Sequence, residues 1–344
     1  MTKGNIINLI KYYAQNDDNS FRTEAYLIAN EFSKLGDRQL SEYIITLLAN
    51  GNTFSPSIYE QEMKFVKKIN TNTDQLPLPD AIKNDILGIV NAAQKKIGVN
   101  KFLFSGAPGT GKTESAKQIA RILNRELFSV DFSLLISSHL GQTSKNISEL
   151  FKEINELKQP QKAIILFDEI DVIALDRVNS NDVREMGRAT STILKELDNL
   201  NPKIMIIATS NLVNLFDKAL TRRFDFIVDF NRYSKEDLIE VAEIILNSFL
   251  NKTTDVSRNI KLFRKILSVC NTIPYPGDLK NIIKTSIAFS ELKSEFDYLK
   301  RIYNHFQNTA TPDLKTLQNQ GFTLREIEIL TGVSKSQVSR VLKD

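Results

Sequence analysis

Apolar residues change their spacing along this chain, and each change marks a different kind of structure. Through residues 1–50 they recur at helical intervals, with Ile6, Ile7, Leu9 and Ile10 running into Tyr12 and Tyr13. Further helical stretches follow at 23–35 and 40–48, separated by Gly36 and Asp37, so a small three-helix module is expected. Its expected work is structural or partner-binding. Residues 51–77, with Pro56 and Pro77, lose the period and read as a linker holding at most a short helix around 59–69.

From 78 to 232 short apolar runs alternate with helical segments. The runs lie at 101–105, 127–131, 163–167, 204–208 and 226–230, and the helices at 114–123, 143–158 and 190–197. This alternation predicts an α/β fold, a mostly parallel five-stranded sheet covered on both faces, with ligands at the carboxyl ends of its strands. After Ser234 the spacing is helical again. Stretches at 238–249, 260–269 and 278–292 predict a helical lid over 233–305, followed by a separate element at 306–344.

Candidate chemistry begins where the first run ends. Gly106, Ala107, Pro108, Gly109, Thr110, Gly111, Lys112 and Thr113 spell a complete phosphate-loop pattern between a strand and a helix opening with Glu114. The glycines let backbone curl around phosphate, and the N–H groups at the helix start face negative oxygen. Lys112 is placed to reach the β/γ-phosphates, and the Thr113 hydroxyl to ligate Mg²⁺. ATP with Mg²⁺ is the expected ligand.

Asp168 and Glu169 end the run 164–167. Asp168 suits the Mg²⁺ hydration shell, and Glu169 suits polarising a water against the γ-phosphate. Asn211, ending the next run, suits orienting that water. Arg222 and Arg223 follow in a short loop, where two readings stand: pairing with local carboxylates, or stabilising a transferring phosphate.

Taken together, 106–113, 165–171, 208–211 and 220–225 resemble the AAA family of ATPases, and the similarity spans roughly 78–292. The resemblance implies that Asp168 and Glu169 are the Mg²⁺ and hydrolytic carboxylates and that Asn211 is the first sensor. It also implies that Arg222 and Arg223 reach the nucleotide of a neighbouring subunit, within a homo-oligomer, normally a hexamer. Lys280 occupies the place of a second-sensor arginine, with one charge but no planar fork. A pore loop is expected at His139 and Leu140, where threading relatives often carry an aromatic. A protein substrate to be remodelled or unfolded follows from the same resemblance.

The last segment carries a second signal. Thr323 with Glu326 forms a capping-box pattern, Gly332 permits a tight turn and Ser334 can cap another helix. This resembles the helix-turn-helix of bacterial transcription repressors, implying DNA contacts by Lys335, Ser336 and Arg340. Two readings stand for it, DNA contact in mobile-element maintenance or defence, or local packing and a protein contact. Charge does not separate them, since 306–344 holds five Lys/Arg and four Asp/Glu and the whole chain a formal net charge of only +4. One cysteine, Cys270, excludes an internal disulfide. No run approaches the length of a membrane span and no secretory signal is evident, so a cytoplasmic protein without membrane partners is expected.

Overall fold

The computed structural model describes residues 3–14, 18–34, 41, 44, 63–71, 77–95, 97–137, 141–174, 182–213, 216, 218–253, 256–291, 294–309 and 312–342. The chain divides into two units, residues 1–63 with 156–159, and residues 64–155 with 160–344.

In the first unit α1 (Lys3–Ala14) packs on α2 (Asp18–Lys34). Asn5 donates to Glu24 Oε1 at 2.9 Å, and Tyr13 meets Phe21 with ring centroids 6.3 Å apart. Ala25, Ile28 and Ala29 are buried, whereas Ile6, Ile7, Ile10 and Tyr13 stay exposed along one stripe of α1. Most of the expected third helix lies outside the described residues.

The second unit is built on a sheet of β1 (Val66–Ile69), β2 (Lys101–Ser105), β3 (Glu126–Val130), β4 (Ala163–Phe167), β5 (Met205–Ser210) and β6 (Phe226–Asp229), ordered β1-β3-β4-β5-β2-β6. The five expected strands are present and mutually parallel. β4 and β5 are buried along their whole lengths, which is why β4 and residues 205–208 of β5 run apolar without alternation, before β5 ends in buried Thr209 and Ser210. The sixth strand corrects the expectation of a linker with at most a short helix: Val66–Ile69 pairs antiparallel with β3 at the sheet edge. Lys67 and Lys68 on this edge reach Asp131 at 2.5 Å and Glu126 at 2.6 Å, which blunts it against further pairing. Helices α3 (Asp80–Lys95), α4 (Lys112–Ile122), α5 (Phe132–Leu135), α6 (Gln142–Asn155), α7 (Asp171–Ala174), α8 (Asp182–Asp198) and α9 (Lys218–Thr221) connect the strands.

The lid comprises α10 (Lys235–Leu250), α11 (Ile260–Ser268), α12 (Pro276–Ala288) and α13 (Asp297–Gln307). Ser234 opens α10 with a reciprocal capping box to Asp237. The C-terminal helices α14 (Leu314–Asn319), α15 (Leu324–Thr331) and α16 (Lys335–Val341) continue the same core, because Leu317, Phe322, Ile327, Leu330 and Val338 are buried together with Leu262, Ile266 and Tyr303. Tyr303 meets Phe322 edge-on at 5.8 Å, and its hydroxyl donates to Gln320 at 2.8 Å. The buried Cys270 thiol donates to Ile266 O, and burial pushes its pKa up to about 11.

Lys265 ties the hairpin to the lid, donating at 2.7 Å to both Gly321 O and Glu326 Oε2. Burial disfavours the charged form of Glu326, yet hydrogen bonds from Lys265 and Thr323 outweigh it and hold the carboxyl below the usual glutamate pKa. A depressed folded-state pKa gives stability that is complete above the unfolded value and lost as pH falls through the folded one. Glu326→Gln is expected to cost about 1 kcal/mol or less at neutral pH and to flatten the acid limb of a stability-versus-pH profile. An unchanged acid limb would contradict this linkage.

Candidate active site

The turn between β2 and α4 sits at the carboxyl end of the parallel sheet, and neighbouring elements set its shape. A Cβ at Gly106 would stand 2.9 Å from Phe230 Cβ, and the Asn231 side chain accepts the Ala107 N–H at 2.8 Å. Thr110 is buried, its hydroxyl donating to Ala107 O at 2.8 Å. At Gly109, where φ is +76°, the lid touches the loop: Gly277 at the start of α12 donates its N–H to Gly109 O at 2.8 Å. A Cβ at Gly277 would lie 2.8 Å from Gly109 Cα, so any other residue there displaces backbone.

Lys112 is buried beneath this turn. Its ammonium donates to Gly106 O at 2.6 Å, Ala107 O at 2.8 Å and Asn211 Oδ1 at 2.8 Å, joining the loop to the end of β5. Burial pulls the Lys112 pKa below the ordinary lysine value, while Asp168, Asp171 and Glu169 pull it back up. Thr113 Oγ1 donates to Asp168 at 2.9 Å and Thr209 Oγ1 donates to the same carboxylate at 2.7 Å. Thr209 also accepts the Glu169 N–H at 2.8 Å.

Glu169 has φ +57°, in the left-handed region. Such a conformation costs a non-glycine residue about 1–3 kcal/mol and survives where surrounding contacts over-determine it. Here the Thr209 hydroxyl holds its N–H, and the next N–H, of Ile170, is held by Thr209 O at 3.0 Å. The side chain is left exposed at the cleft. The cleft, about 300 Å³, is lined by the phosphate loop, Thr113, Glu114, Asp168, Glu169, Asn211, Gly277 and Lys280. Lys280 is exposed, on the lid side.

The sequence left Asp171 and Tyr233 without a role, and Gly277 entered only as part of the lid segment 277–280 expected to report nucleotide state. Asp171 is buried and accepts both the Ser210 hydroxyl and the Asn211 N–H, the latter at 3.0 Å, so it fixes the end of β5 on which Asn211 sits. Gly277 makes the loop–lid contact. Tyr233 packs against both the sheet core and the lid core, and its hydroxyl donates to Thr110 O at 2.9 Å. Burial, with Asp237 and Tyr275, pushes that phenol pKa up, keeping it a donor. Of Asp171 and Tyr233, only Asp171 carried a local signal, as a third carboxylate close behind Asp168 and Glu169.

The two arginines part company. Arg223 donates to both Asp198 oxygens, at 3.3 and 3.1 Å, and to Ala219 O at 3.1 Å. Arg222 is exposed and its side chain has no hydrogen-bond or ion-pair partner among the described residues. Both lie at the amino end of β2, where Asp225 accepts the Asn100 and Lys101 N–H groups at 2.8 Å. The phosphate loop leaves the other end of that five-residue strand, roughly 13 Å away at about 3.3 Å per residue. His139 and Leu140 lie outside the described residues. Lys335, Ser336 and Arg340 are exposed on α16.

Among the described residues no group of three or more His, Cys, Asp or Glu could cage a metal, and no helix is long and apolar enough to cross a membrane. Thr113 and Asp168 offer hard oxygen donors side by side, which fits Mg²⁺ completing its shell with water and phosphate.

Residues 102–232 match the ATPase family associated with various cellular activities (AAA). Peroxisomal ATPase PEX6 of Yarrowia lipolytica is 29% identical over 221 residues, covering 57% of this chain and 21% of PEX6, so the chain spans about a fifth of that relative. A chain from the E. coli MS115-1 HORMA:CdnC:Trip13 complex shares the fold, with a TM-score of 0.50 at 18% identity over 68% of this chain and 86% of that one. An uncharacterized AAA family ATPase of Sinorhizobium fredii, y4kL, is 32% identical over 253 residues, covering 67% of this chain and 75% of the relative. At that identity and coverage the chain belongs to the AAA family and is an ATPase.

Proposed function

We propose that identical subunits assemble into a closed ring or spiral, normally of six, that hydrolyses ATP between neighbours and remodels a protein substrate. The observation that carries this reading is Arg222, exposed, without a partner among the described residues and at the far end of β2 from its own phosphate loop. An arginine so placed serves phosphate chemistry only on another copy of the chain. Within each site the loop N–H groups and Lys112 take the phosphates, and Thr113 with Asp168 would hold Mg²⁺, which when bound offsets phosphate charge. Glu169 polarises the attacking water and Asn211 orients it. Lys280 faces the cleft from the lid and adds a positive charge.

Lys112→Ala is expected to weaken ATP binding by about tenfold or more, because it deletes a charge-assisted contact to phosphate. Titration with a fluorescent ATP analogue measures this, and unchanged affinity would remove Lys112 from the phosphate site.

Remodelling is supported by the Gly277–Gly109 and Tyr233–Thr110 contacts, through which a change at the phosphates moves the lid. A protein substrate is favoured by the exposed stripe of Ile6, Ile7, Ile10 and Tyr13, which is apolar chemistry unsuited to phosphate backbones. A second reading, ATP-regulated DNA association, rests on exposed Lys335, Ser336 and Arg340 on α16.

Affinity capture with the Glu169→Gln protein tests both. Protein retained only with ATP, and lost on Ile7→Ser/Ile10→Ser, is the expected result. Recovery of DNA instead, lost on Arg340→Ala, would replace the first reading with the second.

A further inference from the structure

A cavity of about 460 Å³ opens at the amino ends of the parallel strands, opposite the phosphate loop. Ala92, Val99, Pro202 and Met205 give it apolar walls, and Arg125 and Lys203 are its charged residues. Among the described residues no Asp or Glu lines it. Arg125 is held in place by its backbone N–H, which bonds Ala120 O at 2.8 Å. Its guanidinium is half-buried and has neither a hydrogen bond nor an ion pair among the described residues, whereas Arg223, Arg264 and Arg301 each reach a carboxylate. Burial pulls its pKa down and no acid counters it.

A cation drawn part-way out of water without an acceptor is costly, and the planar fork of arginine matches a carboxylate. The volume falls in the range of small-molecule sites, and mostly apolar walls with one oriented charge are how such sites select ligands. We propose that the cavity binds a small organic carboxylate with an apolar body, its carboxylate on Arg125 and its apolar part against Val99, Pro202 and Met205. The site is separate from the ATP cleft and stands or falls independently of the proposed assembly.

Octanoate and phenylacetate, each paired with its neutral amide, are suitable probes for titration of the full chain by calorimetry, with methyl NMR to locate the contact. At least one acid should bind about tenfold or more tightly than its amide, shifting the signals of Val99 and Met205. Arg125→Met, which keeps an apolar stem, should abolish the preference, and Arg125→Lys should keep part of it. Saturating ATP should not displace the acid. Absence of binding by both acids at millimolar concentration, wild-type affinity in Arg125→Met, or competition by ATP would each overturn the proposal.

Discussion

Glu169→Gln leaves ATP bound and slows its turnover by about 10²- to 10⁴-fold, the range by which positioned acid–base groups accelerate reactions. Glutamine has nearly the same shape and can keep the left-handed backbone, because that conformation is held by main-chain contacts to Thr209. The change therefore removes the carboxylate charge while leaving Lys112, Thr113 and Asp168 in their present network. Single-turnover kinetics with a separate binding titration resolve the two effects. Loss of affinity equal to the loss of rate would mean that Glu169 only shapes the cleft.

Arg222→Ala lowers turnover of the assembled protein by about 10³-fold or more, if Arg222 serves as the arginine that stabilises transferring phosphate. ATP affinity of the isolated subunit should hardly move, since the side chain is remote from its own loop. Arg223→Ala has a different signature. It breaks the pairing with Asp198 and the bond to Ala219, so it loosens the junction of α8 with α9 and reduces stability as well as rate. Thermal melting distinguishes the pair: Arg222→Ala should melt like the parent, and Arg223→Ala should melt lower.

The parts of this protein that its sequence discloses are those whose determinants are local. Gly106 to Thr113 specifies its own turn, and the unbroken apolar runs 163–167 and 204–208 announce strands buried on both faces. The capping residues Ser234 and Thr323 mark their helices through partners three residues away. What stays hidden depends on distant partners. Val66–Ile69 is four residues long and acquires strand character only against β3, some 60 residues later. The distinction between Arg222 and Arg223 is set by Asp198, 25 residues upstream. Asp171 looks like another acid of the motif until Ser210 and Asn211 are laid beside it on β5. The hairpin at 324–341 is legible as two capped helices, but its place in the lid core comes from Lys265 and Tyr303, far back in the chain.

The shared ATP site is tested most directly by mixing two inactive proteins. Arg222→Ala retains an intact phosphate loop and acidic pair, and Glu169→Gln retains Arg222, so a mixed interface can contain every required group. ATP hydrolysis by the mixture should rise well above the sum of the two proteins alone. No recovery in mixed assemblies, or full-rate hydrolysis by diluted wild-type monomer, would contradict a site completed by the neighbouring subunit.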